Sequence, residues 1–150
     1  MNLLIIDLKG KFANFKKFNC NSSSMSYFFP PRTAVIGLIA AIIGREREGY
    51  YEEFSKEEIR IGISIRSRLK KNFHKINYLK IENTSDLNGS YFDANKKIFT
   101  PHTGVPFEVV TADSIYSQLC YRIFIHITRN EELLKELSNA MKNKTKRFPL

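Results

Sequence analysis

The sequence predicts one α+β domain built from strands that each bury a single face and from two helices. Two segments alternate apolar and polar residues as half-buried strands do, two others repeat apolar residues at helical spacing, and these segments interleave along the chain. A chain of 150 residues with 43% hydrophobic residues can build one core and is short for two. We therefore expect residues 1–150 to form a single domain with elaborations.

The N-terminal segments predict a strand, a loop and a helix. Leu3 to Leu8 is a compact apolar run and reads as a buried first strand, and Gly10 to Phe29 reads as a polar loop. A helix follows from about Arg32 to Ile43, with Gly44 as its C-cap. Four apolar residues at helical spacing give that helix a candidate core face: Val35, Leu38, Ile39 and Ile42. A short acidic helix is expected at Tyr50 to Phe54.

The start of that helix is a candidate anion site. Pro30 and Pro31 fix the backbone just before it, and Arg32 lies in its first turn. Helix N-termini have unpaired amides and the positive end of the peptide dipole, so they favour phosphate. An ordinary buried helix whose arginine faces water remains the alternative.

The C-terminal half predicts two further strands and a second helix. Apolar and polar residues alternate strictly from Ile59 to Arg66 and again from Leu119 to Thr128, and each segment has arginine on its polar side. A helix from Asn130 to about Lys142 begins with an asparagine cap and glutamates in its first turn. Its apolar stripe consists of Leu133, Leu134, Leu137 and Met141.

The order of these elements matches the ferredoxin-like, or RRM-like, βαββαβ plan, with its last strand missing or incomplete. Residues 67–117 are too many for a hairpin turn between the second and third strands. Apolar segments at Ile76 to Ile81, Lys97 to Phe99 and Val105 to Val110 are broken by Asn88-Gly89 and Pro101. We expect this span to form hairpins of its own, as an inserted basic β-hairpin arm.

The charge distribution favours a polyanionic partner. The chain carries 24 Lys and Arg against 15 acids, for a net charge of +9, and six of the acids crowd residues 46–58. Basic residues in the arm are interleaved with aromatic ones, a mixture that suits single-stranded nucleic acid. The candidate RNA contacts lie at the first helix, on the polar sides of the two strands and in the arm: Arg32, Arg60, Arg66, Arg68, Lys70, Lys71, His74, Lys75, Arg122 and His126.

Other classes of protein find less support in the sequence. Cys20 and Cys120 have no ligand-like spacing, so we expect no metal site and a reducing cytoplasm. We also expect no small-molecule cofactor. The apolar run from Thr33 to Ile43 is far shorter than the ~20 residues of a membrane span. The sequence also contains no basic amphipathic helix of the kind that binds a membrane surface. An acylphosphatase-like enzyme would need a glycine-rich anion loop with an arginine after the first strand, which Lys9-Gly10-Lys11 does not supply.

Two motifs resemble a known family. Phe29-Pro30-Pro31-Arg32-Thr33 runs into the apolar segment ending at Gly44, and Phe148-Pro149-Leu150 closes the chain. Both resemble the fifth CRISPR-associated protein family, the RAMP-superfamily subunit that caps the 5′ handle of crRNA in type I Cascade surveillance complexes. The order of elements matches over most of the chain, and the first motif is the specific one.

The resemblance implies an RRM-like domain whose inserted thumb, residues 67–117, grips crRNA beside the backbone RAMP and large subunits of Cascade in antiviral defence. Family members usually continue past this point, so the resemblance implies a C-terminally truncated piece. One subgroup cleaves precursor crRNA without metal, using a tyrosine, a lysine and a histidine. Its lysine-then-histidine order is absent from this sequence, and we expect the noncatalytic role. The candidates for the alternative, endoribonuclease chemistry are Tyr27, His74, Lys75, His102, Arg122 and His126.

Overall fold

The computed structural model describes residues 3–81, 84, 91–92, 98–99, 102–114 and 117–143. Within them the chain forms an α+β structure with antiparallel sheets and two helices. In chain order the elements are β1 (Leu3–Gly10), β2 (Phe12–Ala13), β3 (Phe15–Lys16), β4 (Ser26–Tyr27), α1 (Arg32–Ile43), β5 (Ile59–Ile65), β6 (Leu69–Leu79), β7 (Tyr91–Phe92), β8 (Ile98–Phe99), β9 (His102–Ala112), β10 (Leu119–Ile127) and α2 (Glu131–Lys142).

The first sheet has the antiparallel order β1-β10-β5 and carries the core. On its central strand, β10, every second residue is buried against the helices or the second sheet: Leu119, Tyr121, Ile123, Ile125 and Ile127. Val35 and Ile39 of α1 and Leu133 and Leu137 of α2 complete the larger cluster. The alternation predicted for β5 and β10 is confirmed, because burying one face of the sheet leaves the other face open.

Both long helices lie where the sequence predicts them. Gly44 ends α1 with φ 77°, and its N–H donates to the carbonyls of Ala40 and Ala41. The side chain of Asn130 caps α2 by accepting a hydrogen bond from the Leu133 N–H at 3.0 Å. The face predicted for α1 is partly wrong, since Leu38 and Ile42 are only half-buried. The helix is apolar nearly all round, so spacing alone does not select its buried residues, which are Val35, Ile36, Ile39, Ala40 and Ile43.

The second sheet has the order β2-β9-β6. Strands β6 and β9 pair along eleven residues each, from Leu69 opposite Ala112 to Leu79 opposite His102. A shorter pair, β7 and β8, lies between them in the chain. The prediction that residues 67–117 form hairpins of their own is confirmed, while the turn residues Asn88-Gly89 and Pro101 lie outside the described residues.

Three predictions are wrong in detail. The first strand is half-buried and not buried, because only one face of β1 packs on the core, and Leu3 and Ile5 on its other face are 43% and 52% exposed. The expected loop from Gly10 to Phe29 contains three short strands, because each finds backbone partners: β2 pairs with the edge of β9, and β3 and β4 pair with each other. The N–H of Ser24 also donates to the Pro106 carbonyl of β9. The expected helix at Tyr50 to Phe54 is a set of turns with one bond from the Phe54 N–H to the Tyr50 carbonyl, 3.1 Å. Just beyond it the Phe54 and Ser55 carbonyls accept from Arg32, and the Ser55 carbonyl also accepts from the Ile59 N–H at 3.0 Å.

Candidate nucleic-acid interface

The open face of the first sheet brings together three of the predicted RNA contacts. The register places His126 opposite Arg60, and Arg122 lies four residues earlier on β10, so all three lie on the face away from the helices. Arg66 follows β5 and its N–H donates to the Cys120 carbonyl at 2.8 Å, which extends the ladder. The four residues therefore share one side of one sheet, as the alternation predicts.

Arg122 is held by an ion pair on that face. Its Nε and Nη2 donate to the two carboxylate oxygens of Asp7 at 2.8 and 2.9 Å. The hydrogen bond from Arg122 lowers the pKa of Asp7 below its usual value and raises that of Arg122. A bidentate fork of this kind fixes the guanidinium plane and offsets its charge with that of Asp7, so the contact of Arg122 with RNA remains a prediction.

Phe124 lies between these cations and was not singled out from the sequence. It is opposite Ile5 on one side and Gly62 on the other. A Cβ on Gly62 would make an ordinary van der Waals contact with Phe124, 3.7 Å from its Cβ and 3.8 Å from its ring, so Phe124 packs beside the glycine. The signal was present in the alternation, which puts Phe124 in the same row as Arg122 and His126.

The arm residues divide between two faces of the second sheet. Strand alternation places Lys70 and His74 on one side of β6 and Lys71 and Lys75 on the other. We call the first side the open arm face; its aromatic and polar members also include Phe12, Asn72, Tyr78, Phe107 and Thr111. Arg68 precedes β6, is exposed, and its carbonyl accepts from the Asp113 N–H at 3.0 Å.

A cross-strand row defines the base of the open arm face. Phe12 of β2 pairs with Thr111 of β9, which pairs with Lys70 of β6, so the three side chains lie side by side. Phe12 is 71% exposed, although it is a large apolar residue in a strand. An exposed aromatic ring beside a lysine is the combination that nucleic-acid-binding sheets use to stack a base and neutralise a phosphate. The sequence analysis missed Phe12 because it lies in the segment interpreted as a loop.

Lys71, in contrast, is built into the protein. Its Nζ lies 2.9 Å from Oε2 of Glu108, a side chain that is 5% exposed, and donates to the Ser26 carbonyl at 2.6 Å. The Nζ also lies 4.4 Å from the centre of the Phe28 ring. These contacts attach the segment before α1 to the arm.

Glu108 is the acceptor at the centre of this cluster. Burial would raise its pKa, but hydrogen bonds from the Ser26 N–H and Lys71 outweigh burial, and the pKa is lowered from its usual value. Its carboxylate is therefore charged at neutral pH, which is the state that the Lys71 ammonium stabilises. Lys71 contributes to folding through this pair, and its contact with RNA remains a prediction.

Arg32 also has an internal role. Its guanidinium donates to the carbonyls of Phe54, Ser55 and Ile59, each at 2.9 Å. These bonds join the first turn of α1 to the turns that precede β5. The positive charge remains beside the helix start, as the sequence predicts, and a phosphate contact by Arg32 remains a prediction.

The residues considered for catalysis are dispersed. His74 lies on the open arm face, and His126 lies on the other sheet beside Arg60. His102 is at the far end of the arm, opposite Leu79, and Tyr27 is in β4 with the Lys17 ammonium 5.6 Å from its ring centre. The structure does not bring the three histidines together.

Two kinds of site are absent from the described residues. Among them no group of three or more His, Cys, Asp or Glu side chains could hold a metal ion. In the same part of the chain no helix combines the length and hydropathy needed to cross a bilayer. Cys20 and Cys120 are both half-buried, free thiols.

Comparison with known proteins gives a family and a fold. The model of the CRISPR-associated protein (Cas_Cas5) family matches residues 3–145. One structurally similar chain, described as "CRISPR RNA-guided surveillance complex", has a TM-score of 0.60 at 13% identity, over 96% of this chain. Another, described as "Crystal structure of Cas protein", has a TM-score of 0.52 at 19% identity, over 99% of this chain.

The alignments cover 54% of each of these two longer chains, so this chain spans about half their length. At such identities the likeness is one of fold. No curated protein sequence matches the chain. The family model, in contrast, matches nearly every residue from the first strand to the end of α2, and this chain belongs to the CRISPR-associated protein (Cas_Cas5) family.

Proposed function

We propose that this protein is a noncatalytic crRNA-binding subunit of a type I CRISPR Cascade complex, that it holds the 5′ handle of crRNA in the cytoplasm, and that it acts in antiviral defence. Family membership supports a role in a CRISPR complex. The observation that carries RNA binding is the open arm face, where Lys70 and His74 lie on the same side of a sheet as the exposed ring of Phe12.

The same proposal includes the ferredoxin-like plan. Strands β1, β5 and β10 and helices α1 and α2 follow one another in the order that βαββαβ requires, and the sheet order β1-β10-β5 is the one that three of its four strands would have. The remaining strand of the plan would pair with β1. Residues 67–117 would then be the thumb inserted between the second and third strands.

The partners follow from the same proposal. Cascade subunits that bind successive stretches of one crRNA contact each other, so the backbone RAMP subunit and the large subunit are the expected protein partners. Copurification of the tagged chain with crRNA and with these subunits tests this expectation. Recovery of the chain with neither RNA nor sister subunits, after coexpression of the whole operon, would contradict the proposed function.

The noncatalytic role is supported by the positions of the candidate groups. Metal-independent cleavage needs a base at the 2′-hydroxyl, an acid at the leaving oxygen and a cation at the same phosphate. His74 and His126 lie on different sheets, and His102 is at the far end of the arm. Incubation with repeat RNA in chelator is the test: no specific cleavage is expected, and cleavage abolished by His74→Ala would show that the protein is a nuclease.

A further inference from the structure

A polar groove lies at the base of the open arm face. It has a volume of about 470 Å³, and its lining includes Lys11, Lys70, Asn72, Thr111, Ser117 and Gln118. Grooves of a few hundred Å³ are large enough to hold a small organic ligand. The groove is separate from the start of the first helix and from the open face of the first sheet.

The chemistry of the lining selects an anion that also has hydrogen-bonding edges. Among the described residues, the lining contains two lysines, two amides and three hydroxyls, and no carboxylate. The Nδ2 of Asn72 donates to the Thr111 hydroxyl at 2.9 Å, which fixes the amide and leaves its second N–H and its carbonyl oxygen for a ligand. Amides in this state match the mixed donor and acceptor edge of a nucleobase, while the lysines match a phosphate.

Phe12 supplies the third component of a nucleotide site. It is opposite Thr111 in the register, adjacent to Lys11 in the chain, and 71% exposed. An exposed ring has a cost in water that stacking on a base would remove, and every base presents a flat face for such stacking. Phosphate, base face and base edge would thus each have a partner at the base of the sheet, since Lys70 and Phe12 lie in the row of Thr111 and Asn72 lies two residues along β6 from Lys70.

We propose that this groove binds one unpaired nucleotide of the RNA, with its phosphate between Lys11 and Lys70, its base stacked on Phe12, and its edge contacted by Asn72 and Gln118. This inference rests on the proposed function, because it assumes that single-stranded RNA reaches the arm. It adds to that function a site that distinguishes one base from another. The other cations of the arm contact phosphates without regard to sequence.

The test compares single-stranded octamers of A, C and U by fluorescence anisotropy at several salt concentrations. Asn77→Ala is the matched control for Asn72→Ala, since Asn77 lies on the same strand but on the opposite face and is exposed. Phe18→Ala is the control for Phe12→Ala, since Phe18 is 89% exposed. Lys56→Ala controls for the loss of one charge in Lys70→Ala.

Phe12→Ala is expected to weaken binding by roughly 5- to 150-fold, the range measured for loss of one stacked base. Phe12→Tyr should keep the affinity, which guards against a folding defect as the explanation. Asn72→Ala should make the affinities for the three octamers more alike, and should not change the dependence of affinity on salt. Lys70→Ala should reduce the slope of log affinity against log salt by about 0.7.

The results distinguish a failure of the proposed function from a failure of the nucleotide site. If the unmodified chain binds no octamer, both the proposed function and the groove are wrong. If the chain binds RNA and the Phe12 and Asn72 variants match their controls, RNA binding stands and the nucleotide site is wrong. A free nucleoside monophosphate that binds as tightly as its octamer would show a site for a free nucleotide, and would overturn the assignment to RNA.

Discussion

Adjacent lysines in β6 are predicted to have opposite roles, and exchanging each for methionine separates them. Lys71 pairs with Glu108 in a buried cluster, and its side chain is 17% exposed. Lys70 lies on the other face, is exposed, and lines the groove beside Phe12. Lys71→Met should therefore lower the free energy of unfolding, and Lys70→Met should lower the affinity for RNA.

The magnitude for Lys71→Met follows from what the substitution leaves behind. Removing one partner of a buried ion pair costs about 3–5 kcal/mol, because the other charge stays buried without compensation. Glu108 keeps the hydrogen bond from the Ser26 N–H at 2.7 Å, so we expect the lower end, about 3 kcal/mol. For a domain of this size that corresponds to a decrease in Tm of about 6–12 °C.

Urea denaturation and the salt dependence of RNA binding measure the two effects. Lys70→Met should change the free energy of unfolding by less than about 0.5 kcal/mol, as is usual for a surface substitution. The double variant Lys71→Met with Glu108→Gln should lose less than the sum of the single variants, because the buried charge is then gone. A Lys71→Met protein with unchanged stability and a reduced salt slope would refute the division of the arm into two faces.

Three further predictions concern stability. Arg32→Ala should lower the free energy of unfolding by on the order of 3 kcal/mol in urea denaturation, because three carbonyls lose a charged donor; unchanged stability would contradict this role. Burial raises the pKa of Tyr121 to about 12. The free energy of unfolding should therefore fall by about 2–3 kcal/mol as the pH rises from 10 to 12. In thermal melts at a series of pH values, Tyr121→Phe should remove this dependence on pH. The pKa of Glu108 is lowered from 4.5 in the folded protein, so its ionised carboxylate stabilises the fold above that pH. This contribution to the free energy of unfolding should be lost as the pH falls through the folded-state pKa. If Glu108→Gln is destabilised by acid as much as the unmodified protein, another group is responsible.

Periodicity predicted the elements that lie between the helices and the first sheet. Strands β5 and β10 and helix α2 each have one polar face, so the pattern in the sequence identifies the face that the core buries. Helix α1 lacks a polar face, and its contacts with the rest of the core decide its orientation. Its ends were still predictable, because Pro31 and Gly44 act locally on the backbone.

In the arm, unlike on the first sheet, the candidate interface was predicted by residue type and not by position. The sequence shows that the arm contains cations, but it does not show which face of β6 packs against the segment before α1. That orientation decides that Lys71 is half-buried and Lys70 is exposed. The orientation depends on Glu108, Ser26 and Phe28, which lie far from Lys71 in the sequence. Phe12 was missed for a similar reason, since two residues pair as a strand only when β9 offers its edge.

The salt dependence of single-stranded RNA binding tests the central claim, that the open arm face contacts the phosphate backbone. Replacing Lys11, Arg68 and Lys70 together by alanine should reduce the slope of log affinity against log salt by about 2, at roughly 0.7 for each contact. A control with the same loss of charge replaces three exposed lysines elsewhere, Lys56, Lys135 and Lys142, and should keep the slope. Equal slopes for the two triple variants would contradict the account.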